Sequence, residues 1–246
     1  MTASLTESQL TPDYNRAAIT TGIVHIGVGG FHRSHQAAYI DGLMRRHSRP
    51  DTPEGNGSGA PEGNGSGAPE DSCLDWGICG VGLLPGDARM RDALAGQNHL
   101  YTLILKHPGG RHEPTIIGSL HNYLFAPDDP ETVLSLMSAP TTRIVSLTIT
   151  ENGYNVDDVT GKFRTKAPGA VHDAEHPEEP TTAFGYIVEA LRRRREAGIV
   201  PFTVLSCDNL PNNGKVARTA VVSQAAMSDP ELADWIDGNV AFPSCM

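Results

Sequence analysis

Short, nearly continuous apolar runs alternate along the chain with stretches in which apolar residues recur every three or four positions. The runs are GIVHIGVG (22–29), DWGICGVGLL (75–84), RIVSLTIT (143–150) and FTVLSCDNL (202–210). Runs apolar on both faces predict strands buried within a parallel sheet. Helical spacing marks SHQAAYIDGLMRRH (34–47), where Ala37, Ile40, Leu43 and Met44 share a face. It also marks DARMRDALAGQ (87–97), PETVLSLMSA (130–139), GKVARTAVVSQAAM (214–227) and DPELADWIDGNV (229–240), and predicts a long amphipathic helix over TAFGYIVEALRRRREAG (182–198). LYTLILKH (100–107) and TIIGSLHNYL (115–124) flank a PGGR turn and predict a hairpin. Strand and helix in this alternation predict an α/β fold with a doubly wound, mostly parallel sheet.

Two stretches fall outside that pattern. Residues 1–21 are polar and predict an N-terminal tail ahead of one domain at 22–246. The octapeptide PEGNGSGA occurs twice in tandem, at 53–60 and 61–68. A Gly/Pro/Ser/Asn segment with so few apolar side chains predicts a flexible surface loop at about 48–72. The 246 residues are 39% hydrophobic and 20% charged, enough for a substantial core, and the net charge of −10 argues against a nucleic-acid partner. No apolar run is long enough to span a bilayer, and the N-terminus lacks the apolar core of a secretory signal. Cys73, Cys79, Cys207 and Cys245 have no metal-type spacing. Cys79 and Cys207 lie in apolar runs and predict buried thiols of a reducing compartment, so a cytoplasmic location is expected.

In a doubly wound sheet, ligands bind outside the carboxyl ends of the strands. Three such ends carry loop-forming polar residues: GVGGFHR, TENGY and SCDNLPNNG. Gly27 and Gly29 have the spacing of a dinucleotide-binding turn, although His32 stands where a third glycine belongs. They would let backbone approach a pyrophosphate, and Arg33 would add a charged contact. A plain strand-to-helix turn remains open on this fingerprint alone. Asp87, after the second strand, is placed to accept the adenosine ribose hydroxyls and to repel the 2′-phosphate of NADP, which favours NAD. It also fits a helix N-cap, and the two roles are compatible. His32/His35 and His172/His176 lack accompanying carboxylates or thiolates, so no metal is expected. Arg192–Arg195 predict a solvated helix end. Ser206 lies in LSCDN, outside any GxSxG elbow, which argues against a hydrolase.

Together, IVHIGVGGFHRSHQAAYIDGLM, DWGICGVGLLPGDARMRDAL, LYTL, IVSLTITENGYNVD, FGYIVEALRRRREAGIVPFTVLSCDNLPNNG and DWIDGNVAFPSCM resemble the polyol-specific long-chain dehydrogenases. The resemblance covers all but the tail and the repeat. It implies a Rossmann-like, zinc-independent oxidoreductase that moves hydride between NAD and a polyol/ketose pair of the D-mannitol/D-fructose type. A fructuronate reductase of the same family is the alternative. By position it implies cofactor contacts at Gly27, Gly29, Phe31, Arg33 and Asp87. It further implies a proton-passage role for Glu151 and a hydrogen bond from Asn209 to the substrate oxygen. Without the resemblance, Glu151 and Asn209 read better as ordinary loop residues at strand ends. The family's basic Lys-x4-Asn-x2-His motif is not found after Lys106, Lys162, Lys166 or Lys215. The expectation is therefore an N-terminal nucleotide-binding half without its helical catalytic domain, inactive alone and prone to associate through the exposed domain interface. A non-catalytic nucleotide-binding remnant, or a protein whose other half is a separate chain, would look the same.

Overall fold

A computed structural model describes residues 11–48, 73–157 and 159–245. The duplicated octapeptide and the loop expected around it lie outside the described residues. Five strands form one sheet: β1 (Thr21–Ile26), β2 (Gly77–Gly82), β5 (Leu120–Phe125), β6 (Ile144–Leu147) and β7 (Thr203–Ser206). Their order is β5-β2-β1-β6-β7, and every neighbouring pair is parallel. The expected sheet is present, with β1 at its centre.

The helices are α1 (Gly30–Ser34), α2 (Gln36–Ser48), α3 (Ala88–Ala95), α4 (Pro130–Ser138), α5 (Thr150–Gly153), α6 (Pro168–Glu175), α7 (Ala183–Glu196), α8 (Asn213–Ala226) and α9 (Pro230–Asn239). Alternation along β1 divides the core. Val24 and Ile26 point into a cluster with Leu134 of α4, Ile187 and Leu191 of α7, Val221 of α8 and Ile236 of α9. Ile23 points the other way, towards Ala37 of α2 and Leu94 of α3. This is the period of two that a strand buried on both faces requires.

The structure differs from the sequence reading in five places. The hairpin pairs β3 (Tyr101–Lys106) with β4 (His112–Ile117). The rest of TIIGSLHNYL, which the apolar pattern ran together, is β5, and it joins the main sheet as a parallel strand beside β2. Helix α7 is amphipathic only in its last turns: Ala183–Leu191 are all buried, because α4, the sheet and α8 enclose that half. The arginine run is solvated only at Arg195. Arg194 is 1% exposed, and its guanidinium donates to the carbonyls of Met137, Ala139, Thr142 and Val200. Arg192 and Arg193 both pair with the buried carboxylate of Glu189. Helix α6 carried too short an apolar pattern to be anticipated. Finally, part of the expected tail is built into the domain. Tyr14 and Ile19 pack with Met44 and Leu74, and the Tyr14 hydroxyl donates to Asp41, whose carboxylate also accepts the Gly118 amide.

The described cysteines form no disulfide. Cys79 is buried, whereas Cys207 is only partly so, since it sits where β7 leaves the sheet. Burial raises both thiols to about 12. No helix among the described residues is long and apolar enough to cross a membrane.

Candidate functional site

The carboxyl ends of β1, β2 and β6 open onto a cavity of about 610 Å³. β1 stops at Ile26 because Gly27 turns with φ +91°, a conformation in which a side chain is strained. A Cβ at Gly27 would lie 2.2 Å from the Thr148 carbonyl oxygen, so the close pass of β1 beside the end of β6 needs glycine. The turn is tied on both sides. The Gly27 amide donates to the Val81 carbonyl at 3.2 Å, and the Thr148 hydroxyl donates to the Gly27 carbonyl at 2.5 Å. Above Gly29 and Gly30 the space is open: a Cβ at Gly30 would meet nothing within 4 Å.

Asp87 faces the same cavity from the end of β2. Its carboxylate accepts the Leu84 amide at 2.9 Å, so it braces the turn before α3, while its backbone occupies the N-cap position. Gly82 makes room for it, since a Cβ there would come within 2.6 Å of the Asp87 Cβ.

The TENGY segment forms part of the opposite wall as expected, but the carboxylates that hold this wall were not anticipated from sequence. Asp208 accepts the Ile149 and Thr150 amides, both at 3.0 Å, and the Tyr154 hydroxyl at 2.7 Å. One carboxylate thus fastens the segment after β6 to the end of β7. Burial raises the Tyr154 phenol above its ordinary range, which keeps it a donor. Deeper in, the fully buried Asp173 carboxylate accepts the amides and hydroxyls of Thr181 and Thr182 and sets the entry to α7. Only glycine fits at 185, where a Cβ would lie 2.1 Å from Asp173 Oδ2. Gln224 completes this wall. The Asp in SCDN was the one available sequence signal for Asp208; nothing local marked Asp173.

The cavity brings Gly27, Gly29 and Asp87 together. Glu151, Asn209, Phe31 and Arg33 are not among its lining residues. Glu151 is exposed on α5, between the lining residues Thr150 and Asn152, and Asn209 is exposed one residue beyond Asp208. Phe31 is 56% exposed and stacks on His35. Arg33 donates from Nε to the Gly29 carbonyl at 3.2 Å, and its guanidinium lies over the Tyr101 ring.

Beneath the turn, two histidines stack. His25 of β1 and His32 of α1 are each 1% exposed, with ring centroids 3.5 Å apart. Burial, then the facing His32, pushes His25 well below the usual histidine range. Burial, then Arg33, lowers His32 to about 4. Both rings are neutral in the fold, whereas the unfolded chain protonates its histidines below about 6.5. Stability is therefore whole above pH 6.5 and is lost as pH falls towards 4. Each pH unit across that window costs about 1.4 kcal/mol per imidazole, or about 3 kcal/mol for His32 over the whole of it. Melting temperatures measured from pH 7 to 4.5 should fall, and more gently in His32→Phe; equal slopes would remove His32 from this account.

Comparison with known proteins gives the family. Residues 21–246 match the mannitol dehydrogenase Rossmann domain. The chain is 47% identical over 242 residues to mannitol 2-dehydrogenase of Cereibacter sphaeroides, covering 98% of this chain and 45% of that protein. It is 44% identical to mannitol 2-dehydrogenase of Pyricularia oryzae, covering 96% and 42% respectively. Among solved structures, Pseudomonas fluorescens mannitol 2-dehydrogenase, in a ternary complex with NAD and D-mannitol, is 45% identical with a TM-score of 0.82 over 95% of this chain and 42% of its own. A substrate-free D-sorbitol dehydrogenase is 40% identical with a TM-score of 0.83, covering 98% of this chain and 45% of its own. The chain spans less than half the length of each. By sequence match, parallel sheet and glycine turn, it belongs to the mannitol dehydrogenase Rossmann domain family.

Proposed function

We propose that this chain is the NAD-binding part of an oxidoreductase that interconverts a polyol and a ketose, of the D-mannitol/D-fructose type. The observation that carries this reading is the single cavity joining the Gly27–Gly29 turn to the carboxylate of Asp87. Its open turn and its carboxylate acceptor fit the cofactor. The open space above Gly29 and Gly30 admits a pyrophosphate close to backbone, and Asp87 offers lone pairs to the ribose hydroxyls one strand away. When bound, the nicotinamide cofactor accepts or supplies the hydride.

In this reading Gly27 and Gly29 receive the diphosphate, while Phe31 and Arg33 border it. Asn209, at the end of β7, donates to the substrate oxygen and stabilises the negative charge that develops there. Glu151, exposed at the rim, passes a proton between the reacting oxygen and solvent. The names of the relatives support a polyol over a sugar acid. Exposed Phe31 and Leu84 give the cavity side an apolar margin suited to association.

Titration of the chain with NADH and NADPH, followed by nucleotide fluorescence, tests the assignment. Saturable NADH binding with weaker NADPH binding is expected. Asp87→Ala should narrow that preference by about ten-fold, equivalent to about 1.4 kcal/mol, because the carboxylate no longer opposes the 2′-phosphate. Binding of neither nucleotide would refute the reading.

A further inference from the structure

We propose that His25 is a positioning residue for the dinucleotide turn: as the Nε2–H tautomer it relays a one-directional hydrogen-bond chain from Gln36 through Ser146 and Thr148 to the Gly27 carbonyl, and so holds the turn in its left-handed form. The proposal rests on the reading that this turn receives NAD.

The contacts run across four segments. The side-chain oxygen of Gln36, on α2, is placed 2.9 Å from Ser146 Oγ on β6. Ser146 Oγ lies 2.8 Å from His25 Nδ1 on β1. His25 Nε2 lies 2.9 Å from Thr148 Oγ1, just past β6. Thr148 Oγ1 lies 2.5 Å from the Gly27 oxygen.

Counting protons fixes the direction. A carbonyl oxygen only accepts, so the single proton of Thr148 is committed to Gly27. Thr148 can then offer His25 only a lone pair, so Nε2 must carry a hydrogen. The ring is neutral: it is buried, and a second imidazole stacks on its face. Nδ1 is therefore bare and accepts the Ser146 proton. Ser146 is left with lone pairs towards Gln36, so the proposal turns the Gln36 amide over from its placement here and presents its NH2 to Ser146 in place of its oxygen, an exchange of two nearly equivalent atoms. The opposite tautomer would draw the Thr148 proton onto Nε2 and leave the Gly27 carbonyl without it. A chain in which every hydroxyl both donates and accepts is polarised along its length, so its last bond is stronger than an isolated one.

The turn needs such a hold. Gly27 has φ +91° and sits with backbone against backbone at the end of β6. Val or Ile at position 25 would fill the same buried site without relaying anything. The histidine supplies a donor on one side and an acceptor on the other, at fixed separation.

Two measurements test this. The first is the nitrogen spectrum of the imidazoles in the wild-type chain at pH 7. The Nε2–H pattern is expected for His25, and an Nδ1–H pattern overturns the proposal whatever any variant does. The second is NADH titration of Thr148→Val and Thr148→Ser alongside the wild type, with melting curves for each. Thr148→Val keeps the shape and loses the terminal donor, so its NADH affinity should fall about ten-fold or more. Thr148→Ser keeps the hydroxyl and should stay within about three-fold of wild type. If the wild type binds NADH and folded Thr148→Val binds it equally well, the positioning role is wrong and the cofactor reading stands. If the wild type binds no NADH, the cofactor reading fails and takes the positioning role with it. If Thr148→Val does not fold, His25→Gln is titrated in its place, and affinity equal to wild type overturns the proposal.

Discussion

Gly27→Ala is expected to abolish nucleotide binding and to lower the melting temperature by roughly 10 °C. The new Cβ would sit 2.2 Å from the Thr148 carbonyl oxygen and 2.9 Å from its carbon. Both are backbone atoms of a segment whose next two amides are held by Asp208, so it cannot step aside without breaking those bonds. The positive φ alone costs about 1–3 kcal/mol for a residue with a side chain. Relief of the overlap must come from parting β1 from the end of β6, which brings the total to about 3–5 kcal/mol. In a domain of this size each kcal/mol moves the midpoint by roughly 2–4 °C. Gly30→Ala is the internal control. It adds the same atom three residues later, where nothing lies within 4 Å, and its melting curve should overlay that of the wild type. Equal stability of the two variants would show that the turn is not held as described.

The second large effect is expected at Arg194→Met, with a loss of about 3–5 kcal/mol. Its guanidinium converges on four carbonyls, those of Met137 and Ala139 at the end of α4, Thr142 before β6 and Val200 before β7. The methionine fills much of the volume but takes the guanidinium from the buried Met137 and Thr142 oxygens, at about 1–3 kcal/mol for each one left unpaired, while Ala139 keeps the Thr142 amide. Arg194→Lys should recover little, because one ammonium cannot replace the planar fork that reaches separate loops. Arg195→Met, one position along on the exposed side, should change stability by less than about 0.5 kcal/mol. Denaturant melts of the three variants decide the matter.

Arg194 also marks the boundary of what the sequence discloses. Four consecutive arginines at a helix end have the composition of a solvated face, and only the meeting of α4, β6 and β7 shows that one of them points inward. Distant carbonyls leave no trace in local spacing. The central strands, by contrast, were legible, because burial on both faces demands apolar runs such as IVHI and GICGVG whatever their neighbours are. The end of β4 and start of β5 were not, since an apolar run continues through the Gly118–Ser119 break. The same division holds at the site. Gly27, Gly29 and Asp87 follow strands directly, so chain order alone brings them to one cavity. Asp208 and Asp173 act on amides and hydroxyls that are far off or unremarkable in sequence, and their importance is a matter of who accepts whose proton. His25 was hidden for the opposite reason: a single polar residue within an apolar strand reads as an exception to the strand, when it is the connection between the strand and its turn.

Asp208 has a mechanical consequence. Because one carboxylate grips two successive amides beyond β6 and a phenol from the following loop, the rim carrying Thr150 and Glu151 is coupled to β7 and its Asn209 like two jaws on a common pivot. A load applied to one jaw is transmitted through about 3 Å hydrogen bonds instead of being dissipated in a slack loop.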